Sequence, residues 1–239
     1  MLRISDARTG ESVVAAPARR ALTRVEAHAP GFGTTALRVL LVADVLVRAL
    51  ELGGTPVWPV LAGAERVAEL RAGAAALGIR PFEDRSDVGP EPAQSRVIHV
   101  VSRGDRTADG VRLEVAPAES TTDPGDIDPA TLRLALLTRP RSEPVDLTPA
   151  TLADAGSALA HWRRSVAGWA RQPSRPVPEV VRQELRAAWE ADLDTPAVLD
   201  VLRRVETLDG LPDGARFETY AYADRILGLE LTREIGSLT

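Results

Sequence analysis

Residues 30–54, which read PGFGTTALRVLLVADVLVRALELGG, decide how the first half of this chain folds. A Pro-Gly-Phe-Gly loop comes first, and either Thr34 or Thr35 can cap the helix start that follows it. Gly53 and Gly54 supply the stop. Apolar side chains lie on nearly every side of the helix in between, so other elements must cover most of its circumference. The stretch therefore predicts one long, central, buried helix.

The segments on either side of this helix predict strands. In residues 21–29, ALTRVEAHA, apolar and polar side chains alternate as in a half-buried strand. Residues 55–61, TPVWPVL, are β-prone, although two prolines weaken the strand assignment. Residues 21–61 are therefore predicted to form a strand, a glycine loop, a helix and a second strand, in that order. In such units the helix start can bind a phosphate or carboxylate through free backbone N–H groups and the helix dipole.

Five residues around the helix start are candidates for holding such an anion: Gly31, Gly33, Thr34, Thr35 and Arg38. The simpler interpretation is that the two glycines only form a tight turn, and we favour it because a lone Gly-x-Gly is a weak motif. Arg38 has an alternative role as an ion-pair partner. No residue in this stretch is an evident acid, base or nucleophile.

The amino-acid composition excludes several kinds of catalytic and metal-binding site. The chain has 239 residues, a net charge of −5 and no cysteine, and all of its basic residues are arginine. The lack of cysteine excludes thiolate nucleophiles and cysteine-based zinc sites, and the lack of lysine excludes Schiff-base chemistry and a phosphate-loop lysine. The acidic balance argues against a broad surface for nucleic acids. Charges interrupt the most apolar stretch, and the N-terminus has no signal-peptide layout, so we expect a soluble cytoplasmic protein without a membrane segment.

The rest of the first half continues the α/β pattern. The predicted elements are a helix, a surface loop, two strands and a polar domain boundary, at residues 63–77, 81–94, 96–101, 111–115 and 116–128. The boundary is rich in Pro, Gly and Asp, which favours turns and linkers. We therefore expect a first domain over residues 1–125 and a second over residues 126–239.

Helices dominate the second domain. Asp128-Pro129, Thr148-Pro149 and Thr195-Pro196 each combine a capping side chain with proline at the first helical position. In the longest helix, apolar residues recur three and four apart and form one stripe, which places Trp162 and Trp169 in the core. Further helices are predicted over residues 179–193 and 215–229, so the bundle has at least five. The expected fold class is α/β plus all-α: a shortened Rossmann-like domain followed by a helical bundle.

Several stretches resemble the cysteinyl-tRNA synthetases and the related cysteine ligases of mycothiol biosynthesis, which are class I enzymes. DPATLRLALL at 128–137, ADLDTPAVLDVLRRVE at 191–206 and FETYAYADRILGLEL at 217–231 are similar to the helical domain of that family. In the first half, MLRISDARTGE at 1–11 is similar to the family's opening strand. RVLLVADVLVRALELGGTPV at 38–57 is similar to the helix that carries the His-Ile-Gly-His signature. The resemblance implies a degenerate, shortened class I synthetase fold.

The catalytic signatures that the resemblance implies are missing. Residues 33–36, GTTA, occupy the place of the histidine signature that contacts ATP phosphates in the family, and AESTT at 118–122 stands where Lys-Met-Ser-Lys-Ser belongs. The family's zinc needs Cys and His ligands, whereas this chain has no cysteine and its three histidines, His28, His99 and His161, are widely scattered. Losing one charge-stabilising donor costs about a hundredfold to a thousandfold in rate. We therefore expect no zinc, and ATP stays as the one candidate cofactor.

Three functions stay open. The first is a non-catalytic interaction or regulatory protein that binds a nucleotide or a partner protein. The second is an ATP-dependent ligase of the cysteine type with a remodelled site centred on residues 31–38. The third is a tRNA-binding accessory protein, although a solvated helix face is the simpler interpretation of its arginines. Those arginines lie in the acid-free window 155–178 and are Arg163, Arg164, Arg171 and Arg175. We favour the first function.

Overall fold

The computed structural model describes residues 1–16, 22–29, 31–63, 66–87, 96–105 and 110–237. Parts of the predicted elements, Ala21, Pro30, 64–65 and 88–94, lie outside these ranges. The strands of the described part are β1 (Arg3–Ser5), β2 (Ser12–Val14), β3 (Thr23–His28), β4 (Val57–Ala62), β5 (Glu83–Asp84), β6 (Arg96–Ser102), β7 (Val111–Val115), β8 (Ala118–Ser120) and β9 (Val145–Leu147). Its helices are α1 (Thr34–Leu52), α2 (Val67–Ala76), α3 (Pro129–Leu137), α4 (Pro149–Trp169), α5 (Glu179–Glu190), α6 (Thr195–Glu206) and α7 (Asp213–Leu227).

Five parallel strands form the central sheet, in the order β5-β4-β3-β6-β7. From β3 the chain moves outward to β4 and β5, and β6 and β7 then lie on the other side of β3. The carboxyl ends of β3 and β6 therefore lie side by side where the strand order reverses, and open α/β sheets bind ligands at such a point. The sheet and its helices confirm the predicted Rossmann-like half, including β6 and β7.

Helix α1 is buried as its composition predicts. Fourteen of its nineteen residues are buried, and it packs against the sheet, α2 and α7. The prediction that a threonine caps it is wrong: the N-cap residue is Gly33, and no side chain accepts a hydrogen bond from the first turn. Thr34 and Thr35 already lie inside the helix, which leaves their hydroxyl groups free to bind another segment.

The second half contains the five predicted helices, α3 to α7. Asp128 and Thr148 accept hydrogen bonds from backbone N–H groups three residues on, so two of the three predicted caps are confirmed. The third is shifted by one residue: Asp194 caps α6, and the buried Thr195 hydroxyl instead donates to the Leu137 carbonyl at 2.8 Å. Trp162 is 3% exposed, which confirms it as a core residue.

The predicted domain boundary contains structure that pairs with the second half. Strand β8 lies within residues 116–128 and pairs in parallel with β9, and the sequence pattern predicted neither strand. The predicted surface loop likewise contains β5. One hydrophobic cluster includes residues from Leu2 to Leu231, so it continues across the boundary. The division at residues 125 and 126 stays a prediction.

Asp44 joins the two halves through buried charge. It is 0% exposed, and its carboxylate lies 2.8 Å from Nε of Arg48, which is the helical i,i+4 ion pair. Arg133 of α3 reaches the same carboxylate at 3.0 Å, and Arg80 does so at 3.3 Å. The described helices include none with the length and apolar character needed to span a membrane.

Candidate functional site

The loop before α1 is held against α2. Gly31 has φ +76°, a left-handed conformation that favours glycine, in keeping with the tight-turn interpretation of this loop. Phe32 and Leu37 pack on Gly73 so closely that a Cβ added there would lie 3.3 and 3.0 Å from their side chains. The guanidinium of Arg66 lies 5.4 Å from the Phe32 ring centre, within cation–π range.

The two threonines hold the start of α1 against β8. The Thr34 hydroxyl donates to the Ala118 carbonyl at 2.6 Å. Thr35 donates to the same carbonyl at 3.2 Å and accepts a hydrogen bond from the Ala118 N–H at 3.0 Å. Both hydroxyl groups are therefore bonded to the segment that stands where the resemblance places the family's lysine signature.

Arg38 is a buried tether. It is 1% exposed, and its two terminal nitrogens donate to the carbonyls of Ala116 at 2.9 Å, Pro117 at 3.2 Å, Pro140 at 2.9 Å and Glu143 at 2.6 Å. Burial lowers the pKa of Arg38 to about 10, so the side chain keeps its charge at neutral pH. The void that it lines measures about 10 Å³, which is at the lower limit for one water molecule.

The structure thus brings the five predicted anion-site residues together, but it gives their side chains other partners. The hydroxyl groups and the guanidinium bind backbone carbonyls of residues 116–118, 140 and 143. What an anion can still meet at this helix start is the backbone of the loop and the first turn. Anion binding by these five residues stays a prediction.

A second group of polar residues meets on one face of the central sheet, where β3 pairs with β6. The prediction that the three histidines are scattered is wrong for two of them, because Nε2 of His28 lies 3.0 Å from Nδ1 of His99. Oε2 of Glu26 lies 3.3 Å from the same His99 nitrogen and 3.7 Å from the same His28 nitrogen. His161 lies elsewhere, paired with Glu206. The scatter was one of two grounds for expecting no zinc, so that expectation now depends only on the lack of cysteine.

Strand geometry explains how this group forms. Glu26 and His28 are two residues apart on β3 and so point to the same face of the sheet, opposite to Val25 and Ala27, which belong to the hydrophobic cluster. The register of β3 with β6 places Glu26 beside His99. The alternation seen in residues 21–29 predicted that these side chains share a face. It also predicted that the face is exposed, which is wrong, since Glu26 is 0% and His99 6% exposed.

Burial and neighbouring charges shift the pKa values of Glu26 and His28. Burial alone would raise the pKa of Glu26, but the hydrogen bond with His99 and the charges of Arg24 and Arg85 hold it below its ordinary value. Nε of Arg24 lies 2.8 Å from Oε1 of Glu26, and Arg85 contacts Oε2. Burial and the neighbouring His99 lower the pKa of His28, so its imidazole is neutral at pH 7.

The four arginines that are candidates for binding tRNA differ in their contacts and exposure. Arg163 donates to the carbonyls of Leu229 at 2.7 Å and Glu230 at 3.3 Å, so it ties α4 to the segment after α7. Arg164, Arg171 and Arg175 are exposed. A role for them in binding tRNA stays a prediction.

Comparison with curated proteins found relatives of one kind. The chain is 37% identical over 109 residues to the L-cysteine:1D-myo-inositol 2-amino-2-deoxy-alpha-D-glucopyranoside ligase of Streptomyces griseus. It is 34% identical over 109 residues to the ligase of the same name in Streptomyces scabiei, and 36% identical over 110 residues to that of Streptosporangium roseum. Each match covers 44% of this chain and 26% of the relative, so the chain matches about a quarter of the length of these ligases.

No family model matches the chain. The relatives are mycothiol cysteine ligases, which belong to the class I family of cysteinyl-tRNA synthetase-like enzymes. The resemblance predicted from the sequence is therefore confirmed.

Proposed function

We propose that this chain, a relative of the class I cysteine ligases, is a non-catalytic binding protein that does not activate carboxylates with ATP. One observation carries the proposal: the polar side chains at the start of α1 bind the backbone around β8. Thr34, Thr35 and Arg38 together donate six hydrogen bonds to carbonyls of the chain itself.

The chemistry of adenylate formation explains why this observation matters. The transition state gathers negative charge on the phosphates, and enzymes stabilise it with donors that are already aimed at that charge. Arg38 is the cation nearest to the loop in sequence, but its terminal nitrogens point at carbonyls, and freeing them would take one donor away from each of these carbonyls. Lysine, the other cation used for this purpose, does not occur in the chain.

Pyrophosphate exchange tests the proposal directly. Purified protein is incubated with ATP, labelled pyrophosphate and each amino acid in turn, with and without added zinc, beside an active cysteinyl-tRNA synthetase as positive control. We expect no exchange above the enzyme-free blank with any amino acid. Exchange that follows the protein through both a size-exclusion and an ion-exchange column would overturn the proposal and favour the remodelled ligase.

Calorimetric titration with ATP then identifies the kind of binding protein. The backbone of the loop and first turn offers N–H groups to a phosphate, and a nucleotide is the ligand that such a helix start accommodates. Saturable binding of ATP without exchange would identify a nucleotide-binding protein. A flat titration would assign the role to a partner protein, which cross-linking and co-purification from the native host would then identify.

A further inference from the structure

We propose that Glu26, His28 and His99 form a binding site for a divalent transition-metal ion such as Zn²⁺, because one donor atom from each residue lies within 3.7 Å of the other two on one face of the paired strands β3 and β6. This ligand set differs from the cysteine and histidine ligands implied by the resemblance to the synthetases, since the chain has no cysteine. The proposal is independent of whether the protein activates carboxylates.

The distances among the three donor atoms fit a tetrahedral ion. Nε2 of His28, Nδ1 of His99 and Oε2 of Glu26 form a triangle with edges of 3.0, 3.3 and 3.7 Å. Zinc binds nitrogen and carboxylate oxygen at about 2.0–2.1 Å, and a tetrahedron of that bond length has donors roughly 3.3 Å apart. The triangle therefore has the dimensions of one face of a zinc coordination tetrahedron, and among the described residues no further His, Asp or Glu joins the cluster.

The triangle is closed, unlike a hydrogen-bonded chain that passes through both nitrogens of one imidazole. A chain from a carboxylate through one imidazole to another needs two close contacts, made by different nitrogens of the middle ring. Here a single nitrogen, Nδ1 of His99, is within 3.3 Å of both partners, and the two partners are also close to each other. Such a closed set of three donor atoms fits the ligands of a shared ion, and without an ion Nδ1 of His99 shares one hydrogen bond between Glu26 and His28.

The ligand types select the metal. Two neutral imidazoles and one carboxylate suit zinc and its transition-metal neighbours, whereas calcium and magnesium prefer oxygen ligands. Three protein ligands and one open position are characteristic of zinc sites that also bind water or a small anion.

Arg24 and Arg85, which contact Glu26, affect the affinity of the proposed site for a metal ion. Arg24 forms an ion pair with Oε1 of Glu26, and the other oxygen, Oε2, is the one that lies near the histidines. Arg85 contacts Oε2 itself, but its side chain is 55% exposed and can turn into solvent when an ion binds. Their positive charge weakens cation binding, and Arg85→Gln is therefore expected to bind the ion more tightly than the wild type.

The test uses tag-free protein stripped with a chelator and titrated with ZnCl₂ and, separately, CoCl₂. We expect one ion per chain and, for cobalt, the intense visible absorption of a tetrahedral site. His28→Gln should weaken binding by about tenfold or more, since even residues that only support a ligand change metal affinity by that factor. His161→Gln removes an exposed histidine outside the cluster and should bind like the wild type.

Thermal unfolding supplies a second readout. Zinc should raise the melting temperature of the wild type and of His161→Gln, and it should leave that of His28→Gln unchanged. Wild-type protein that binds no ion at a tenfold excess of zinc would overturn the proposal, as would His28→Gln binding as tightly as the wild type. If His28→Gln does not fold, the cobalt spectrum of the wild-type protein tests the proposal. A spectrum of the octahedral aqueous ion, without tetrahedral absorption, would refute the site.

Discussion

At the scale of single residues, two arginine side chains are buried and need polar partners to compensate their charge. Arg38 and Arg133 are each 1% exposed. Arg38 is compensated by carbonyls, and Arg133 by the carboxylate of Asp44 together with the carbonyls of Leu227 at 2.6 Å and Leu77 at 2.9 Å. Removing one partner of such a pair destabilises the protein, because it leaves the other partner as a buried charge without compensation.

Asp44→Asn should lower the free energy of unfolding by about 3–5 kcal/mol, since it leaves the buried Arg133 without its carboxylate. Denaturant unfolding followed by circular dichroism measures the change. The double variant Asp44→Asn, Arg133→Met should lose less than Asp44→Asn alone. Asp200→Asn is the control: Asp200 is 72% exposed and pairs with Arg203 on the surface, so a loss within about 1 kcal/mol is expected. Equal losses in the two single variants would contradict the compensation argument.

Asp128→Ala should cost about 1 kcal/mol at pH 7 by removing the cap of α3. Hydrogen bonds from the Thr131 side chain and N–H lower the pKa of Asp128, so its stabilising effect is present above the unfolded value near 3.8 and is lost as the pH falls through the lower folded value. The difference from the wild type should therefore shrink below pH 3.8. Asp126→Ala, two residues away and exposed, should differ from the wild type by less than about 0.5 kcal/mol at every pH.

At the scale of elements, the contact between α1 and β8 distinguishes this helix start from an open anion site. It depends on two hydroxyl groups and one guanidinium, all bonded to backbone atoms of residues 116–118 or of the segment before β9. Because β8 pairs with β9, which leads directly into α4, the same contact connects the central sheet to the helical half.

Thr35→Val should destabilise the protein by about 1–3 kcal/mol, because Ala118 is 3% exposed and its N–H would lose its acceptor. Thr34→Val is the matched control and should cost less, since the Ala118 carbonyl keeps its bond from Thr35. Both are measured by denaturant unfolding. A larger loss for Thr34→Val would mean that the donor to the carbonyl, rather than the acceptor for the N–H, holds β8 in place.

At the scale of the whole molecule, the N-terminal hairpin is fastened to the turn between α5 and α6. Asp192 accepts hydrogen bonds from the N–H and hydroxyl of Ser5 at 2.9 and 3.2 Å. The guanidinium of Arg141 contacts both oxygens of the same carboxylate at 2.6 and 2.7 Å and also donates to the Glu114 carbonyl of β7 at 2.6 Å. One carboxylate in the helical half thus holds both the first strand and the edge of the central sheet.

Asp192→Ala should release the hairpin, so that peptides from residues 1–16 exchange amide hydrogen faster while those from α4 do not change. The expected loss of stability is about 1.5–3 kcal/mol for hydrogen bonds to a charged group, with a further cost because Asp192 has φ +59°. Asp192→Asn keeps an acceptor and tolerates that backbone conformation, so it should be milder. Asp209→Ala, at an exposed position, serves as the control, and exchange spread evenly over the chain would contradict a local tether.

The sequence by itself determined what depends on near neighbours in the chain. The buried helix α1, the Asp128 and Thr148 caps, and the strands β6 and β7 follow from periodicity and capping within a few residues. The absence of lysine and cysteine likewise needs no coordinates. Only the tertiary structure decided which polar groups meet. His28 and His99 are brought together by the register of β3 with β6, and Arg38 is occupied by carbonyls from residues 116 to 143. Such partners are set by strand order and packing over long separations, and local sequence patterns carry no record of them.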